Sequence, residues 1–362
     1  MIEARFGSRP TLTLGVEEEL ITLDPVSLQQ VAGVDKVLAG VDGLSLPGRL
    51  KTELHASVFE TNTDPCATAA EAHEALRALR RAAFASAAAA GLAVAATGSH
   101  PFALPEAQPI VKEKRYLAMV AQHGLTARRQ NVQGLHVHLA MPDGDSCWRA
   151  LEGMLPWLPV VLACSANSPW LAGELTGMAS NRATTLAELP RTAGPPAFGS
   201  YAGFEAWVER LVGLGVMADY TRIWWDVRPH PSLGTLEIRM PDQPTDVRRS
   251  AAFAALLQAL AATVLEADSA PAEADRGDYD QNRWTAARFG PEALLIAPGG
   301  NRAAPAAELA DELVELVAPA ARRLGSLELL DALDTATCEG DDQLLFADPR
   351  EATADLVRRS LA

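Results

Sequence analysis

The stretch Leu14-Gly15-Val16-Glu17-Glu18-Glu19-Leu20 decides the fold of this chain, because it alternates glutamates with apolar residues. In a β-strand, successive side chains point to opposite faces of the sheet. Glu17 and Glu19 therefore share one face, and Leu14, Val16 and Leu20 share the other. A run of acidic residues can also be the solvated end of a strand. The alternation favours instead a strand with one face in the core and a pair of carboxylates on the other face.

Three further stretches alternate cation-binding side chains with apolar ones. They are Thr52-Glu53-Leu54-His55 running on to Glu60-Thr61-Asn62, Leu135-His136-Val137-His138-Leu139, and Thr235-Leu236-Glu237-Ile238-Arg239. If the four strands are neighbours, one side of their sheet becomes a pocket lined with carboxylates and imidazoles, and the apolar side chains form a core behind it. Oxygen-rich clusters of this kind bind hard divalent cations such as Mg2+.

Glu53 and Glu60 can meet in such a pocket only if the chain bends between them. The two residues are at positions i and i+7, and a straight strand would direct them to opposite faces. We therefore expect a bend near His55, Ala56 and Ser57.

Some of these residues also have purely structural interpretations. His136 and His138 flank Val137 symmetrically, and either can be a buried core histidine; of the two, we favour His136 as a metal ligand. Glu237 and Arg239 can be no more than an ion pair. Next to the other three strands, however, they would supply a metal ligand and a cation that faces a phosphate.

The composition is that of an ordinary soluble enzyme and narrows its partners. The chain has 362 residues, 48% of them hydrophobic, and a formal net charge of -15. This charge argues against nucleic acid and against an anionic membrane as partners. The four cysteines lie in no CxxC pattern, so we expect reduced thiols in a cytoplasmic protein. The most apolar stretch, Met154 to Gly173, is broken by prolines, which argues against a membrane span.

Strands and helices are predicted to alternate along the chain. Helical periodicity and capping signals predict helices from Thr68 to Gly91, Lys112 to Gln122, Trp148 to Ala163, Phe204 to Leu214, Asp246 to Ala267 and Ala307 to Leu324. Two polar segments, Ser165 to Ser200 and Pro271 to Arg288, are predicted to be long loops that form the walls and lid of a site.

Three common catalytic signatures are missing from the sequence. It contains no GxxxxGK[ST] phosphate loop, no GxSxG nucleophile elbow and no HExxH motif. A phosphate-containing substrate would therefore have to be neutralised by carboxylate-held metals and by arginines.

The order of the motifs resembles that of the type 2 glutamate–cysteine ligases, also called the YbdK-like carboxylate–amine ligases. The resemblance covers about Thr11 to Gly290. The matching motifs are Gly15-Val16-Glu17-Glu18-Glu19, Glu53-Leu54-His55-Ala56-Ser57 to Glu60-Thr61-Asn62-Thr63, Gly98-Ser99-His100-Pro101-Phe102, His136-Val137-His138, Ser168-Pro169-Trp170, Trp224-Trp225-Asp226-Val227-Arg228-Pro229, Gly234-Thr235-Leu236-Glu237-Ile238-Arg239 and Asn282-Arg283-Trp284.

The resemblance implies an α+β, glutamine-synthetase-like fold. In that fold a curved, largely antiparallel sheet carries helices on its outer face and the active site in its concavity. We expect a single catalytic domain over residues 1–362, with the recognisable motifs at about 11–290 and a C-terminal helical part at 291–362.

The resemblance also implies a reaction. ATP phosphorylates the γ-carboxylate of L-glutamate, and an amine, classically L-cysteine, displaces phosphate from the acyl phosphate to form an amide. The implied cofactor is Mg2+, with Mn2+ as an alternative, and ATP is a co-substrate. The expected partners are ATP, L-glutamate and an amine, and a homo-oligomer is left open.

Carried onto this chain, the resemblance assigns roles to individual residues. Arg239 and Glu53 would be catalytic, with Arg239 stabilising the γ-phosphate as it is transferred. Gln130 and Arg228 would contact the substrates. The metal ligands would be Glu17, Glu19, Glu53, Glu60, His136 and Glu237.

Two other classes of function remain as alternatives. A metal-dependent amide hydrolase could use the same glutamates and histidines with a bound water as the nucleophile, and it would need no ATP. A non-catalytic protein on the same scaffold would bind a nucleotide or an amino acid without turnover.

Overall fold

Strands and helices alternate along residues 3–361, which the computed structural model describes. The strands are β1 Leu14–Leu23, β2 Gly48–Thr52, β3 Val58–Thr63, β4 Ala93–Ala95, β5 Leu135–Ala140, β6 Trp170–Leu171, β7 Glu174–Leu175, β8 Thr192–Ala193, β9 Trp224–Trp225, β10 Val227–His230, β11 Thr235–Ile238, β12 Leu294–Ile296 and β13 Ala303–Pro305. The α-helices are α1 Val34–Val41, α2 Ala69–Ala89, α3 Lys114–His123, α4 Leu125–Arg128, α5 Gly144–Met154, α6 Leu158–Ser165, α7 Asn181–Leu186, α8 Tyr201–Gly213, α9 Val247–Glu266, α10 Arg276–Phe289, α11 Ala306–Arg323, α12 Glu339–Gln343 and α13 Pro349–Ser360.

Seven strands of the described chain form one antiparallel sheet. Their order is β10-β11-β5-β1-β3-β2, and β4 pairs with the C-terminal part of β1. The four strands that carry the alternating motifs are therefore consecutive, which meets the condition for a shared pocket. Their register sets these site residues directly opposite one another: Glu17 with His136 and with Asn62, Glu19 with Glu60, and Glu237 with His138.

The apolar face of this sheet forms the core. Helices α2 and α9 pack behind β1, and α5 packs behind β10 and β11. Burial of each such side chain contributes roughly 1.5–3 kcal/mol, so this face holds the sheet and the helices together. The side chains at most 1% exposed on this face include Leu14, Val16, Leu20, Val137, Leu139, Leu236 and Ile238.

The middle glutamate of the opening motif, Glu18, points into this core. Glu18 is fully buried and accepts two hydrogen bonds from the Arg80 guanidinium of α2, at 2.6 and 2.8 Å. Ser250 of α9 donates a third hydrogen bond, at 2.6 Å. The acidic run is therefore not a solvated strand end.

The predicted helix from Trp148 to Ala163 is divided in two. α5 ends at Met154 and α6 begins at Leu158, with a short 3-10 segment between them. Pro156 and Pro159 explain the division, because proline lacks the N–H that a continuous helix needs.

The prediction of a loop from Pro271 to Arg288 is wrong, because most of this segment is helix α10. Asp275 caps the helix by accepting a hydrogen bond from the Asp278 N–H at 3.0 Å. The buried side of α10 contains Tyr279 and Arg283, both of which are paired with Asp226. Because paired polar residues occupy this side, the helix shows no clear apolar periodicity in the sequence.

Helix α9 is the one helix in the described part of the chain that is long and apolar enough to cross a membrane. In its most apolar window, 72% of the residues are buried within the protein. That burial is what the core helix of a soluble protein shows. All four cysteines are likewise buried and free.

Candidate active site

One cavity of about 380 Å³ lies over the polar face of the sheet. It brings together all nine residues that the sequence singles out as ligands or substrate contacts. These are Glu17, Glu19, Glu53, Glu60, Gln130, His136, Arg228, Glu237 and Arg239.

The first group of potential metal ligands combines three neighbouring strands. Glu17 of β1, His138 of β5 and Glu237 of β11 each offer an atom within 4.8 Å of the others. His138 Nε2 lies 3.7 Å from Glu17 Oε1 and 3.9 Å from Glu237 Oε1. Its Nδ1 lies 3.0 Å from Thr235 Oγ1, which orients the ring with Nε2 towards the carboxylates.

The second group lies on the other side of β1. Glu19, Glu53 and Glu60 each offer an oxygen within 4.8 Å of the others. The expected bend is the turn between β2 and β3, where the Glu53 N–H donates to the Val58 carbonyl at 3.3 Å. This turn directs Glu53 and Glu60 to the same side.

His136 belongs to neither group. Its Nδ1 lies 3.2 Å from Glu17 Oε2 and 3.5 Å from an Arg239 nitrogen. Burial, together with the charge of Arg239, lowers the pKa of His136 to about 4, so the ring is neutral at neutral pH. The ligand role of His136 stays a prediction, and His138 enters the site as a residue that the predicted ligand set lacked.

The two groups differ in their electrostatics. Burial opposes the charge of Glu17, but hydrogen bonds from His136 and His138 hold its pKa well below the ordinary value. Burial opposes the charge of Glu237 as well, and there Arg228 and Arg239 hold the pKa well below the ordinary value. The two carboxylates of the first group are therefore ionised at neutral pH, whereas the charge of Glu237 and the contact with Glu17 raise the pKa of His138 against its burial, so a cation that binds there must displace a proton from that ring.

In the second group, the three glutamates have too little positive charge near them to offset their mutual repulsion. Desolvation and the charges of Glu60 and Glu19 raise the pKa of Glu53 well above its ordinary value. Desolvation also raises the pKa of Glu19 and of Glu60. Lys51 partly offsets this crowding, with its Nζ 2.7 Å from Glu60 Oε1. Three crowded carboxylate oxygens are a donor set that suits Mg2+ or Mn2+, so these residues fit the implied metal.

Two arginines pair with Glu237. Arg239 donates to Glu237 Oε1, and its side chain is 21% exposed to the cavity. Arg228 donates to both Glu237 oxygens, at 2.7 and 3.3 Å, and to the Ile223 carbonyl. Arg228 therefore fixes the position of Glu237 in this structure, and its substrate contact stays a prediction.

Gln130 has a free acceptor in the cavity wall. Its amide nitrogen donates to the carbonyls of Thr126 and Thr185, at 3.2 and 3.0 Å. Its Oε1 is buried and has no partner among the described residues. Because this oxygen is not accessible in this structure, the substrate contact of Gln130 stays a prediction.

Arg182, in the segment Ser165 to Ser200, is a further cavity residue. It donates to the carbonyls of Arg239 and Met240, each at 2.9 Å, and so fixes the chain at the end of β11. A Cβ at Gly134 would come within 2.1 Å of the Arg182 guanidinium. A side chain at position 134 would therefore displace the Arg182 guanidinium from its observed position. The Gly134 N–H also donates to Glu19 at 2.6 Å.

The sequence matches the profile of the family described as Glutamate-cysteine ligase family 2 (GCS2) over residues 13–347. The chain belongs to this family. It is 41% identical to "Putative glutamate--cysteine ligase 2-3" of Rubrobacter xylanophilus, over 100% of this chain and 95% of that protein. It is 35% identical to "Putative glutamate--cysteine ligase 2" of Solibacter usitatus, over 88% and 84% of the two chains.

The ligase also has a related fold among solved structures. The crystal structure of a glutamate–cysteine ligase from Francisella tularensis in complex with AMP superposes with a TM-score of 0.71 at 14% identity, over 98% of this chain and 89% of that one. The glutamine-synthetase-like fold expected from the sequence is thereby confirmed. The expected enzyme class, an ATP-dependent ligase that forms a carbon–nitrogen bond, is confirmed by the family.

Three of the matching motifs contribute no residue to this cavity: Gly98-Ser99-His100-Pro101-Phe102, Ser168-Pro169-Trp170 and Asn282-Arg283-Trp284. Arg283, in the Asn282-Arg283-Trp284 motif, is 7% exposed and donates to Asp226 at 2.6 Å. Tyr279 donates to the same carboxylate at 2.8 Å. Arg283 and Tyr279 therefore anchor α10 to the segment that carries Arg228.

Proposed function

We propose that the chain joins the γ-carboxylate of L-glutamate to an amine, classically L-cysteine, by way of an acyl phosphate formed from ATP. The observation that carries the proposal is the pair of three-residue ligand groups, with Arg239 beside them, in one cavity. ATP and a carboxylate repel each other, so a ligase of this kind needs concentrated positive charge between them.

The two groups would hold divalent cations, Mg2+ in the first instance. When bound, such cations neutralise phosphate oxygens and align the donor with its acceptor. Glu17, His138 and Glu237 would hold one cation, and Glu19, Glu53 and Glu60 another. His136, predicted as a ligand, hydrogen-bonds to Glu17 and would orient that carboxylate.

Arg239 is the cation nearest to the first group and would stabilise negative charge on the phosphoryl group in transfer. Its own position is set by Glu237, which Arg228 fixes from the other side. Glu53 would complete the second group, and Gln130 would contact the substrates.

An acyl phosphate is lost to water unless the site excludes it. Arg182, Leu186 and Leu189 line the cavity, and all three lie in the predicted lid segment Ser165 to Ser200. The other predicted lid, Pro271 to Arg288, contributes no cavity residue among those described. We therefore assign closure of the site to the segment Ser165 to Ser200 alone. The enzyme would be cytoplasmic, because its four buried free thiols suit a reducing compartment.

The decisive experiment measures ADP release from ATP and Mg2+ with L-glutamate and a panel of amines that includes L-cysteine, with products identified by mass. We expect ADP only when glutamate and one amine are both present, together with the matching γ-glutamyl amide. ADP release that needs a different carboxylate would overturn glutamate as the substrate. Amide hydrolysis without ATP would favour the hydrolase alternative.

Two variants test the site assignment. Glu53→Gln and Arg239→Ala should each lower kcat at least about 100-fold, because Glu53 would hold a cation and Arg239 would stabilise the charge on the transferred phosphoryl group. Thermal unfolding checks that the fold persists. Near-normal turnover in either folded variant would show that the site residues are assigned wrongly.

A further inference from the structure

Asn62 lies between the two ligand groups. It follows Glu60 by two residues on β3, so both side chains are on the same face, and it sits opposite Glu17 of β1. Its side-chain nitrogen donates to Glu17 Oε1 at 2.7 Å and to Glu60 Oε1 at 2.6 Å. Asn62 is 7% exposed.

The two acceptors belong to different groups. Glu17 pairs with His138 and Glu237, and Glu60 pairs with Glu19 and Glu53. One amide nitrogen therefore spans the gap between two clusters of carboxylates, and both of its N–H bonds are used. Bonds of this kind to charged acceptors are short and directional, so they restrict the rotation of both glutamates.

The carboxylates also determine the orientation of the amide. If its oxygen and nitrogen were exchanged, the oxygen would face two anionic oxygens with no hydrogen between them. In the orientation observed, Asn62 Oδ1 is buried and has no partner among the described residues. The hydrogen bonds of the Asn62 side chain therefore all go to Glu17 and Glu60.

We propose that Asn62 is a positioning residue that couples the two metal sites by holding Glu17 and Glu60 at a fixed separation. The inference rests on the proposed function in so far as the two groups are taken as metal sites. Without the amide, each glutamate can rotate away, so the two cations lose both affinity and a defined distance between them. Residues that orient ligands in this way typically change metal affinity about 10- to 100-fold when they are removed.

The test uses Mn2+ alone as the probe, with no nucleotide or amino acid. Titration calorimetry gives the affinity of each ion, and electron paramagnetic resonance reports the dipolar coupling between two neighbouring Mn2+ ions. The test variant is Asn62→Leu, which keeps the branched skeleton and removes the donor. Asn62→Ala is the second variant, for use if leucine prevents folding.

Thr61→Val is the matched control. Thr61 is the adjacent residue on β3, is fully buried on the opposite face, and has an Oγ1 without a partner among the described residues. Valine has nearly the same shape, so this change perturbs the strand but not the two glutamates.

We expect wild type and Thr61→Val to bind two coupled Mn2+ ions. In the Asn62 variants at least one ion should bind about tenfold more weakly or worse, and the coupling should change. Under turnover, kcat should fall while the KM for L-glutamate stays within about twofold, as expected for a lost positioning contact. A purely structural role would lower the melting temperature and leave the coupling of the bound ions unchanged.

Unchanged Mn2+ affinities and coupling in the Asn62 variants would overturn the inference, as would a wild type that binds fewer than two ions. Neither result depends on ligase turnover. A protein that binds two coupled ions but makes no γ-glutamyl amide would overturn the proposed function and leave the role of Asn62 standing.

Discussion

Lys51 places a positive charge where a divalent cation is expected to bind. Its Nζ lies 2.7 Å from Glu60 Oε1, and its side chain is 33% exposed. A bound cation must share Glu60 with this ammonium group and is repelled by it. Lys51→Met should therefore lower the Kd for Mg2+ by about tenfold, which corresponds to about 1.4 kcal/mol. Calorimetric titration with Mg2+ measures this directly.

Lys51→Arg is the control for that prediction, since it keeps the charge and should leave the Kd within about threefold of wild type. Weaker Mg2+ binding in Lys51→Met would contradict the competition argument. It would mean that Lys51 serves chiefly to keep Glu60 ionised and in place.

His100, in the Gly98-Ser99-His100-Pro101-Phe102 motif, makes stability depend on pH. Its Nδ1 accepts hydrogen bonds from the N–H groups of Phe102 and Ala103, at 3.1 and 2.9 Å, and its Nε2 donates to the Leu28 carbonyl at 2.9 Å. A proton on Nδ1 would face two donors, and burial lowers the pKa of His100 from 6.5 to about 4. The ring is therefore neutral in the folded protein.

Between pH 6.5 and 4, the unfolded chain binds a proton at His100 that the folded chain does not. The contribution of His100 to the free energy of unfolding should therefore be fully present above pH 6.5. It should be lost as the pH falls through this window, which lowers the free energy of unfolding by up to about 3 kcal/mol. Urea denaturation at several pH values, in wild type and in His100→Asn, measures how much of the pH dependence of stability comes from His100. Equal pH dependence in the two proteins would exclude His100 as the cause.

At this scale the sequence predicts which residues meet but not how they pair. Alternation places Glu17, Glu19 and Glu60 on one face, and the structure confirms that they share a cavity. Whether His136 or His138 joins the ligand group depends on the orientation of each ring and on the partner of each ring nitrogen. The symmetrical motif His136-Val137-His138 carries no information about either. The contacts of Lys51 and Asn62 depend on cross-strand register in the same way.

The link between β1 and α2 depends on the buried pair of Glu18 and Arg80. Arg80 also donates to the carbonyls of Pro244 and Thr245, at 3.0 and 2.6 Å, so it joins three segments behind the active site. Arg80→Met leaves the Glu18 carboxylate buried without its counter-charge. The free energy of unfolding should fall by about 3–5 kcal/mol, as measured by urea denaturation.

Arg77, one turn earlier on α2, provides the control. It pairs with Glu74 at 3.1 Å on the surface, so Arg77→Met should change stability by less than about 1 kcal/mol. Equal effects of the two substitutions would show that the Glu18–Arg80 pair contributes no more than a surface ion pair.

The helices differ in how well the sequence predicts them. α2, α8, α9 and α11 bury apolar residues at helical spacing, and their predicted bounds agree with the structure to within a few residues. α10 buries polar side chains that find their partner on Asp226, more than fifty positions away in the chain. A buried ion pair between distant segments leaves no local pattern, so this helix was missed.

The whole molecule is expected to unfold as one domain, although its catalytic motifs end well before its last helix. α13 covers β4 at the end of β1. Leu356 is fully buried there among Ile21, Leu23 and Val58. The Ser360 hydroxyl also accepts a hydrogen bond from the Ala96 N–H at 2.8 Å. Helix α13, in the C-terminal part of the chain, thus packs against the same strand that carries Glu17 and Glu19.

Leu356→Ala tests this proposal of a single domain. Loss of a buried leucine should lower the free energy of unfolding by about 2–5 kcal/mol, whereas Leu361→Ala, at a side chain 62% exposed, should change it by less than about 0.5 kcal/mol. Because the sheet and α13 share one core, circular dichroism and Mn2+ binding should be lost at the same temperature in each protein, and that temperature should be lower in Leu356→Ala. Two separate transitions, with Mn2+ binding retained through the first, would show that the C-terminal part unfolds on its own and would contradict the single domain.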